Sequence, residues 1–314
     1  MLEAQTRLSR FLPARDHIRE RMRAWWDGRA PVIGGDAGTV GAEAHEDGAP
    51  PGPPPPGPTA LWSPERIDLS QQIWGPEHVA PGGEEQVATL LKPLSLNPSM
   101  SVIEIGAGLG AATRMMHKRF GVWPKAFEPD ENLASAASLL SKAAGLAKKA
   151  PVVHSPLDKL EIKTNGFDRV ILRDVGYVAP DKTDLLRAAA AGLRRRGLIL
   201  ITDFVLSQPG ADADPLVAAW RAGEPGESPP WAEAELLAAL RTLGLEVRVA
   251  EDESAILRHH VLEGWKAFQP GLLTSAPPMP LVMLALQEGE RWRRCVAALD
   301  GGSLRYNRII ASKP

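Results

Sequence analysis

The sequence predicts an α/β fold, a mostly parallel sheet of about seven strands with helices on both faces. Two observations carry this. From about residue 61 onward, short apolar segments alternate with stretches of helical periodicity, and strands joined through helices must cross over to lie parallel with both faces covered. The first strong apolar segment runs directly into a glycine loop and then a helix, VIEIGAGLG (102–110) followed by AATRMMHKRF (111–120). Sheets of this type receive ligands at such a junction.

The elements follow in order. SVIEIG (101–106) reads as a buried strand and 111–120 as a helix. WPKAFEP (123–129) is a second strand, followed by a helix over 132–146 and a short third strand, VVHS (152–155). FDRVILRD (167–174) is a fourth strand, DKTDLLRAAAAGL (181–193) a helix and GLILITDFV (197–205) a fifth strand. A helix over 232–244, a strand over 245–251, a helix over 281–299 and a last strand over 303–312 complete the pattern. No fixed-period repeat is present.

Ahead of this domain, assigned to residues 61–314, two segments differ in texture. Residues 1–33 have apolar positions at rough helical spacing, interrupted by Pro13 and interleaved with arginine. This predicts a helical segment packed on its own domain or poorly ordered or, alternatively, one that meets a protein partner or membrane surface. Residues 34–60 hold four acids, no Lys or Arg and the run Pro53–Pro56. Such a segment buries too little to offset its ordering entropy, so a disordered Pro/Gly-rich linker is expected.

Charges nearly cancel across the 314 residues, 36 basic against 38 acidic, which argues against wholesale binding to nucleic acid. The single cysteine, Cys295, excludes an internal disulfide framework and a cysteine-rich zinc site. No apolar run approaches the ~20 residues of a membrane helix, and no secretory signal is visible, so a cytoplasmic location is expected. His259 and His260 are adjacent on a helix and cannot jointly chelate a metal. No H-E-x-x-H, P-loop or G-x-S-x-G pattern points to a hydrolase or NTPase.

The glycine loop is the most informative segment. Gly106, Gly108 and Gly110 sit between strand and helix, Glu104 lies at the strand end, and Glu128 ends the next strand. A carboxylate there can accept both hydroxyls of a ribose. The spacing G-x-G-x-G is tighter than the dinucleotide fingerprint, and Glu104 would repel phosphate but attract an amino group. S-adenosylmethionine is therefore favoured over NAD.

These residues resemble the class I S-adenosylmethionine-dependent methyltransferases. VIEIGAGLG is similar to their first motif, AFEPD to their second, and FDRVILRDV with LRRRGLILITDF to later ones. IWGPEHVAPGG (73–83) and ILRDVGYVAPDK (171–182) narrow the resemblance to the phosphoethanolamine and sarcosine N-methyltransferases. The resemblance implies a Rossmann-like methyltransferase fold whose last strand is antiparallel. It implies S-adenosylmethionine as cofactor, with Glu104, Gly106, Gly108, Gly110, Glu128, Leu157 and Arg173 in the cofactor set. Residues 73–83 would close over the cofactor, and the insertion at about 206–231 would form part of an acceptor lid. The implied activity is methyl transfer to a small-molecule acceptor, nitrogen favoured over oxygen.

Asp174, Tyr177 and His78 are the candidates for handling the acceptor: Asp174 as anchor, Tyr177 as orienting group, His78 as base. Trp220, Arg221 and Trp231 in the insertion would suit a methylammonium or flat acceptor. Three positions depart from the resembled pattern. Pro156 stands where an acid usually meets adenine, with Asp158 nearby; Val178 stands where the phosphoethanolamine enzymes carry a catalytic histidine; and Arg194–Gly197 replaces a proline-glycine turn. The first two, with the N-terminal helix and linker, motivate an alternative reading, a catalytically silent module that binds S-adenosylmethionine or a protein partner.

Overall fold

The computed structural model describes residues 61–226, 228–274 and 277–314. The expected helical segment at 1–33 and linker at 34–60 lie outside the described residues. Seven strands form one sheet in the order β3-β2-β1-β4-β5-β7-β6. They are β1 (Val102–Ile105), β2 (Lys125–Glu128), β3 (Val152–His154), β4 (Phe167–Arg173), β5 (Leu193–Leu206), β6 (Glu246–Asp252) and β7 (Leu304–Ser312). Strands β1 to β5 pair in parallel, while β7 runs antiparallel to both β5 and β6.

Three of the four connections through β5 carry an α-helix, the usual parallel crossover, while β3 and β4 are joined by residues 155–166 with only a short 3-10 turn, Leu157–Lys159. Helices α1 (Pro64–Trp74) and α2 (Gly83–Leu91) precede the sheet. Helices α3 (Ala111–Phe120), α4 (Glu131–Ala143) and α5 (Lys182–Gly192) serve the parallel half. Helices α6 (Pro215–Arg221), α7 (Glu233–Thr242), α8 (Ser254–Thr274) and α9 (Met279–Asp300) follow. The starts are set by short polar side chains. Ser63, Asp130, Asp181 and Asp214 each accept a backbone N–H in the first turn of α1, α4, α5 and α6. No described helix is long and apolar enough to cross a membrane.

The core lies on both faces of the central strands. Every residue of β1 is buried, as expected of a strand covered on two sides. One face packs Ile103, Ile105, Val170, Leu172, Ile199 and Ile201 against α5 and α7. The other packs Val102, Ile171, Leu200 and Ile310 against α2 and α3.

Strand β5 is longer than its apolar run. It begins at Leu193, which pairs with Phe167 across a register shift. The basic triplet Arg194–Arg196 is carried within it as an exposed stretch. Arg196 takes φ +61° itself and donates its N–H to the Lys313 carbonyl, so the usual glycine turn is not required. Helices α1 and α2, which the alternating pattern does not announce, flank the 75–82 segment. Trp74 of α1 packs edge-on to Trp265 of α8 at 6.5 Å and to Trp292 of α9 at 5.2 Å.

Candidate active site

The strand order reverses between β1 and β4, and ligands of open α/β sheets bind at the carboxyl ends of such a pair. A cavity of about 460 Å³ opens there, within the range of small-molecule sites. Its floor is the loop 106–109, one end reaches Glu128 and Leu157, and the other reaches Tyr306 and Trp292. Gly106, Gly108, Glu128, Leu157, Arg173, Asp174, Tyr177 and His78 of the predicted set all line this one cavity.

The three loop glycines have different reasons. Gly106 has φ +84°, and a Cβ there would lie 2.2 Å from the Arg173 carbonyl oxygen; the loop needs it to pass the end of β4. At Gly108 an added Cβ would meet only the Val79 side chain across the cleft, at 3.3 Å. Gly110 is the N-cap of α3 and does not face the cavity.

Glu128 ties the loop to the second strand. Its Oε2 accepts the Gly108 N–H at 2.7 Å and its Oε1 the Asp130 N–H at 3.0 Å. Burial raises its pKa to about 7, against the lowering effect of those two N–H groups. Glu104 is fully buried behind the cavity wall. Thr113 Oγ1 donates to it at 2.6 Å and Arg173 Nη1 at 3.1 Å. Arg173, not Glu104, lines the cavity at that point, with the Glu104 carboxylate paired behind it. Pro156 and Asp158 both line the cavity beside Leu157.

The segment between α1 and α2 is clamped to this floor. Arg114, buried in α3, donates Nε and Nη2 to Glu77 at 2.9 and 2.7 Å and Nη2 to the Leu109 carbonyl at 2.8 Å. His78 and Val79 are held over the loop by this contact. Burial, and then the Arg173 charge, lowers the His78 pKa from 6.5, so its imidazole is neutral at pH 7.

At the opposite end Asp174 takes φ +54° at the end of β4. Tyr306 on β7 donates to its Oδ1 at 2.8 Å and Thr202 on β5 at 3.0 Å. Burial raises its pKa, outweighing Arg173 and the two hydroxyls. Tyr177 is seated by its N–H, which Asp203 Oδ1 accepts at 3.1 Å, and its hydroxyl donates to Glu224 at 3.1 Å. Burial, followed by the Glu224 charge, holds the Tyr177 phenol well above its usual pKa.

The insertion behaves differently from the aromatic wall expected of Trp220, Arg221 and Trp231. Trp220 is buried behind Tyr177, stacked on it at 5.9 Å, and Trp231 packs on the main core. Arg221 donates to the carbonyls of Gly226 and Ser228. None of the three lines the cavity; Pro225 and Gly226 do. The aromatic lining comes instead from Trp62, Tyr177, Phe204, Trp292 and Tyr306. A short amphipathic helix buries its tryptophan inward.

Tyr306, Asp203, Arg66, Arg291 and Glu224 were not legible as site residues. They come from separate segments, and no local spacing marks them.

Comparisons with known proteins agree with this fold. Phosphoethanolamine N-methyltransferase 3 of Arabidopsis thaliana is 29% identical over 137 residues, which cover 44% of this chain and 28% of that one. The glycine/sarcosine/dimethylglycine N-methyltransferase of Actinopolyspora halophila is 23% identical over 147 residues, covering 47% and 26%. The chain thus spans less than a third of the length of these curated relatives. The structure of Haemonchus contortus phosphoethanolamine N-methyltransferase 2 with S-adenosyl-L-methionine has the same fold, with TM-score 0.68 and 18% identity over 79% of this chain and 56% of that one. The family described as "Methyltransferase domain" matches residues 80–249. That match takes in more than half of the 314 residues, and the chain belongs to this methyltransferase-domain family.

Proposed function

We propose that the protein transfers a methyl group from S-adenosylmethionine to a small-molecule amine. The observation that carries this is the pairing at the cavity floor, where buried Glu128 accepts the Gly108 N–H at 2.7 Å while facing the cavity. The residues fit the cofactor. Glu128 offers a carboxylate to a ribose diol, and Gly108 leaves open the space that a Cβ would fill. Leu157 and Asp158 line the cavity where the adenine would rest, Leu157 as an apolar face and Asp158 as an acceptor for its amino group. The nitrogen acceptor follows the relatives' named activities.

When bound, the cofactor supplies a methyl group on a sulfonium: the acceptor nitrogen's lone pair forms the C–N bond while the C–S pair returns to sulfur. The chain's own task is alignment and exclusion of water. Glu77 and Arg114 hold His78 and Val79 down over the loop. Asp174 receives an N–H of the acceptor, and its proton once the new bond has formed. The neutral His78 imidazole offers a second lone pair at the same cavity.

The pH dependence of cofactor affinity tests this reading. Glu128 has a folded pKa of about 7 against 4.5 in its ordinary state. The folded chain therefore holds that proton more tightly than the unfolded chain. Its contribution to stability is full below the unfolded value and is lost as pH rises through the folded one. Binding that needs the carboxylate has the opposite slope. Affinity for S-adenosylhomocysteine, measured by calorimetry, is expected to fall about tenfold per pH unit below about pH 7. Glu128→Gln is expected to bind weakly and without that slope. A parent chain with pH-independent affinity between pH 5.5 and 8 would count against the assignment of Glu128.

A further inference from the structure

Taking the cavity as a methyl-transfer site, we propose that its acceptor is an amine whose remainder is uncharged and in part apolar, and that phosphorylated or carboxylated amines are excluded. Arg66, Arg173 and Arg291 line the cavity, and free guanidinium forks there would favour a phosphate or carboxylate. Each already pairs with a carboxylate, Arg291 through its whole fork, Arg66 and Arg173 through one nitrogen each, and Arg173 is the one the resemblance gives to the cofactor. Arg291 spends its fork on Glu224, Nε at 2.8 Å from Oε1 and Nη2 at 2.8 Å from Oε2, and Nη1 lies 3.7 Å from Glu288. Arg66 Nε pairs with Glu288 at 2.6 Å, and its Nη1 donates to the Leu61 carbonyl at 2.5 Å. Arg173 Nη1 pairs with Glu104 at 3.1 Å.

Two of the three guanidinium faces are covered as well. The Arg66 guanidinium stands 4.4 Å from the Trp62 ring centre, and that of Arg291 stands 5.1 Å from Trp292. The matching carboxylates are almost entirely withdrawn from solvent, Glu224 at 2% and Glu104 at 0% exposure of the side chain. At Arg291 and Arg66 an incoming anion would have to displace a buried carboxylate and leave it unpaired, which is strongly unfavourable. These arginines therefore act as pillars of the wall, binding Trp62, Trp292 and the 224–226 loop together.

The carboxylate with a free valence is Asp174. Both of its hydrogen bonds fall on Oδ1, from the neutral hydroxyls of Tyr306 and Thr202, and among the described residues none falls on Oδ2. It sits in a wall of Tyr177, Phe204, Trp292 and Tyr306. One carboxylate oxygen among aromatic rings, beside cations already neutralised, recognises an N–H or ammonium attached to an uncharged body.

Two matched pairs of probes test this: tyramine against tyrosine, and ethanolamine against phosphoethanolamine. Each is titrated calorimetrically into the full chain saturated with S-adenosylhomocysteine, which carries no methyl group to transfer. At least one of tyramine and ethanolamine is expected to bind, and each anion-bearing partner to bind about tenfold more weakly or worse. Glu224→Gln, which relaxes the hold on Arg291, is expected to narrow that gap by about tenfold. Glu288→Gln makes the same test at Arg66. Equal or tighter binding of tyrosine or phosphoethanolamine by the parent chain overturns the proposal. So does the absence of binding by both uncharged-bodied amines when S-adenosylhomocysteine binds. Failure of S-adenosylhomocysteine itself to bind is a distinct result, and it removes the methyl-transfer reading together with this one.

Discussion

Gly106→Ala is expected to destabilise the chain by about 2–5 kcal/mol, the sum of a left-handed backbone penalty and overpacking. The new Cβ would stand 2.2 Å from the Arg173 carbonyl oxygen and 2.6 Å from Val175 Cγ1 at φ +84°. The first of those atoms is backbone and cannot swing aside. A loss of that size is a large fraction of a typical domain's stability of about 5–15 kcal/mol. Gly108→Ala makes the contrast. Its φ of +55° lies in the left-handed basin, and its only neighbour is the Val79 side chain at 3.3 Å. It is expected to cost about 1 kcal/mol in stability, with the larger effect on cofactor affinity, because its methyl group enters the cavity. Chemical denaturation followed by S-adenosylhomocysteine titration separates the two. A Gly106→Ala chain as stable as the parent would mean that the loop is not packed against β4 as described.

Asp174→Asn is expected to lower methyl transfer by about 100- to 1000-fold, in the range of a lost general base. Its affinity for S-adenosylhomocysteine should stay within about threefold, since a change confined to the chemical step leaves ground-state binding in place. The substitution is mild in structural terms. Asparagine tolerates the φ of +54° that Asp174 adopts, and its amide oxygen can still accept from Tyr306 and Thr202. What it lacks is a carboxylate to take the acceptor's proton. Steady-state rates and calorimetry on the same preparation decide the matter. Equal losses in rate and in cofactor affinity would identify Asp174 as a structural residue instead.

Much of this architecture was legible in the sequence because its signals are local. Apolar strand segments, helical runs and the stretch from Val102 to Gly110 each fit within one short window. The cofactor half of the cavity was legible for the same reason, since Gly106, Gly108 and Glu128 lie on consecutive elements. The limits of β5 were not, because its first residues are paired by tertiary contacts of Phe167 and Lys313 rather than by apolar pattern. The acceptor half was largely illegible. It joins Trp62 and Arg66, the 174–178 turn, Phe204, Arg291, Trp292 and Tyr306, segments brought together only by folding. Trp220 illustrates the trap: a tryptophan in an irregular insertion suggests a ligand wall, yet burial of its apolar area behind Tyr177 and Phe204 decides its position. The glycines show the converse, since one motif holds a packing requirement at Gly106 and an open wall at Gly108.

The most direct test of the account is methyl transfer itself. The full chain is incubated with methyl-labelled S-adenosylmethionine and each of tyramine, ethanolamine, phosphoethanolamine and sarcosine, and product mass and S-adenosylhomocysteine release are followed. The account predicts a labelled N-methyl product from an uncharged-bodied amine, formed at a rate that collapses in Asp174→Asn. A chain that binds S-adenosylhomocysteine yet releases none above the Asp174→Asn background with any amine would contradict it.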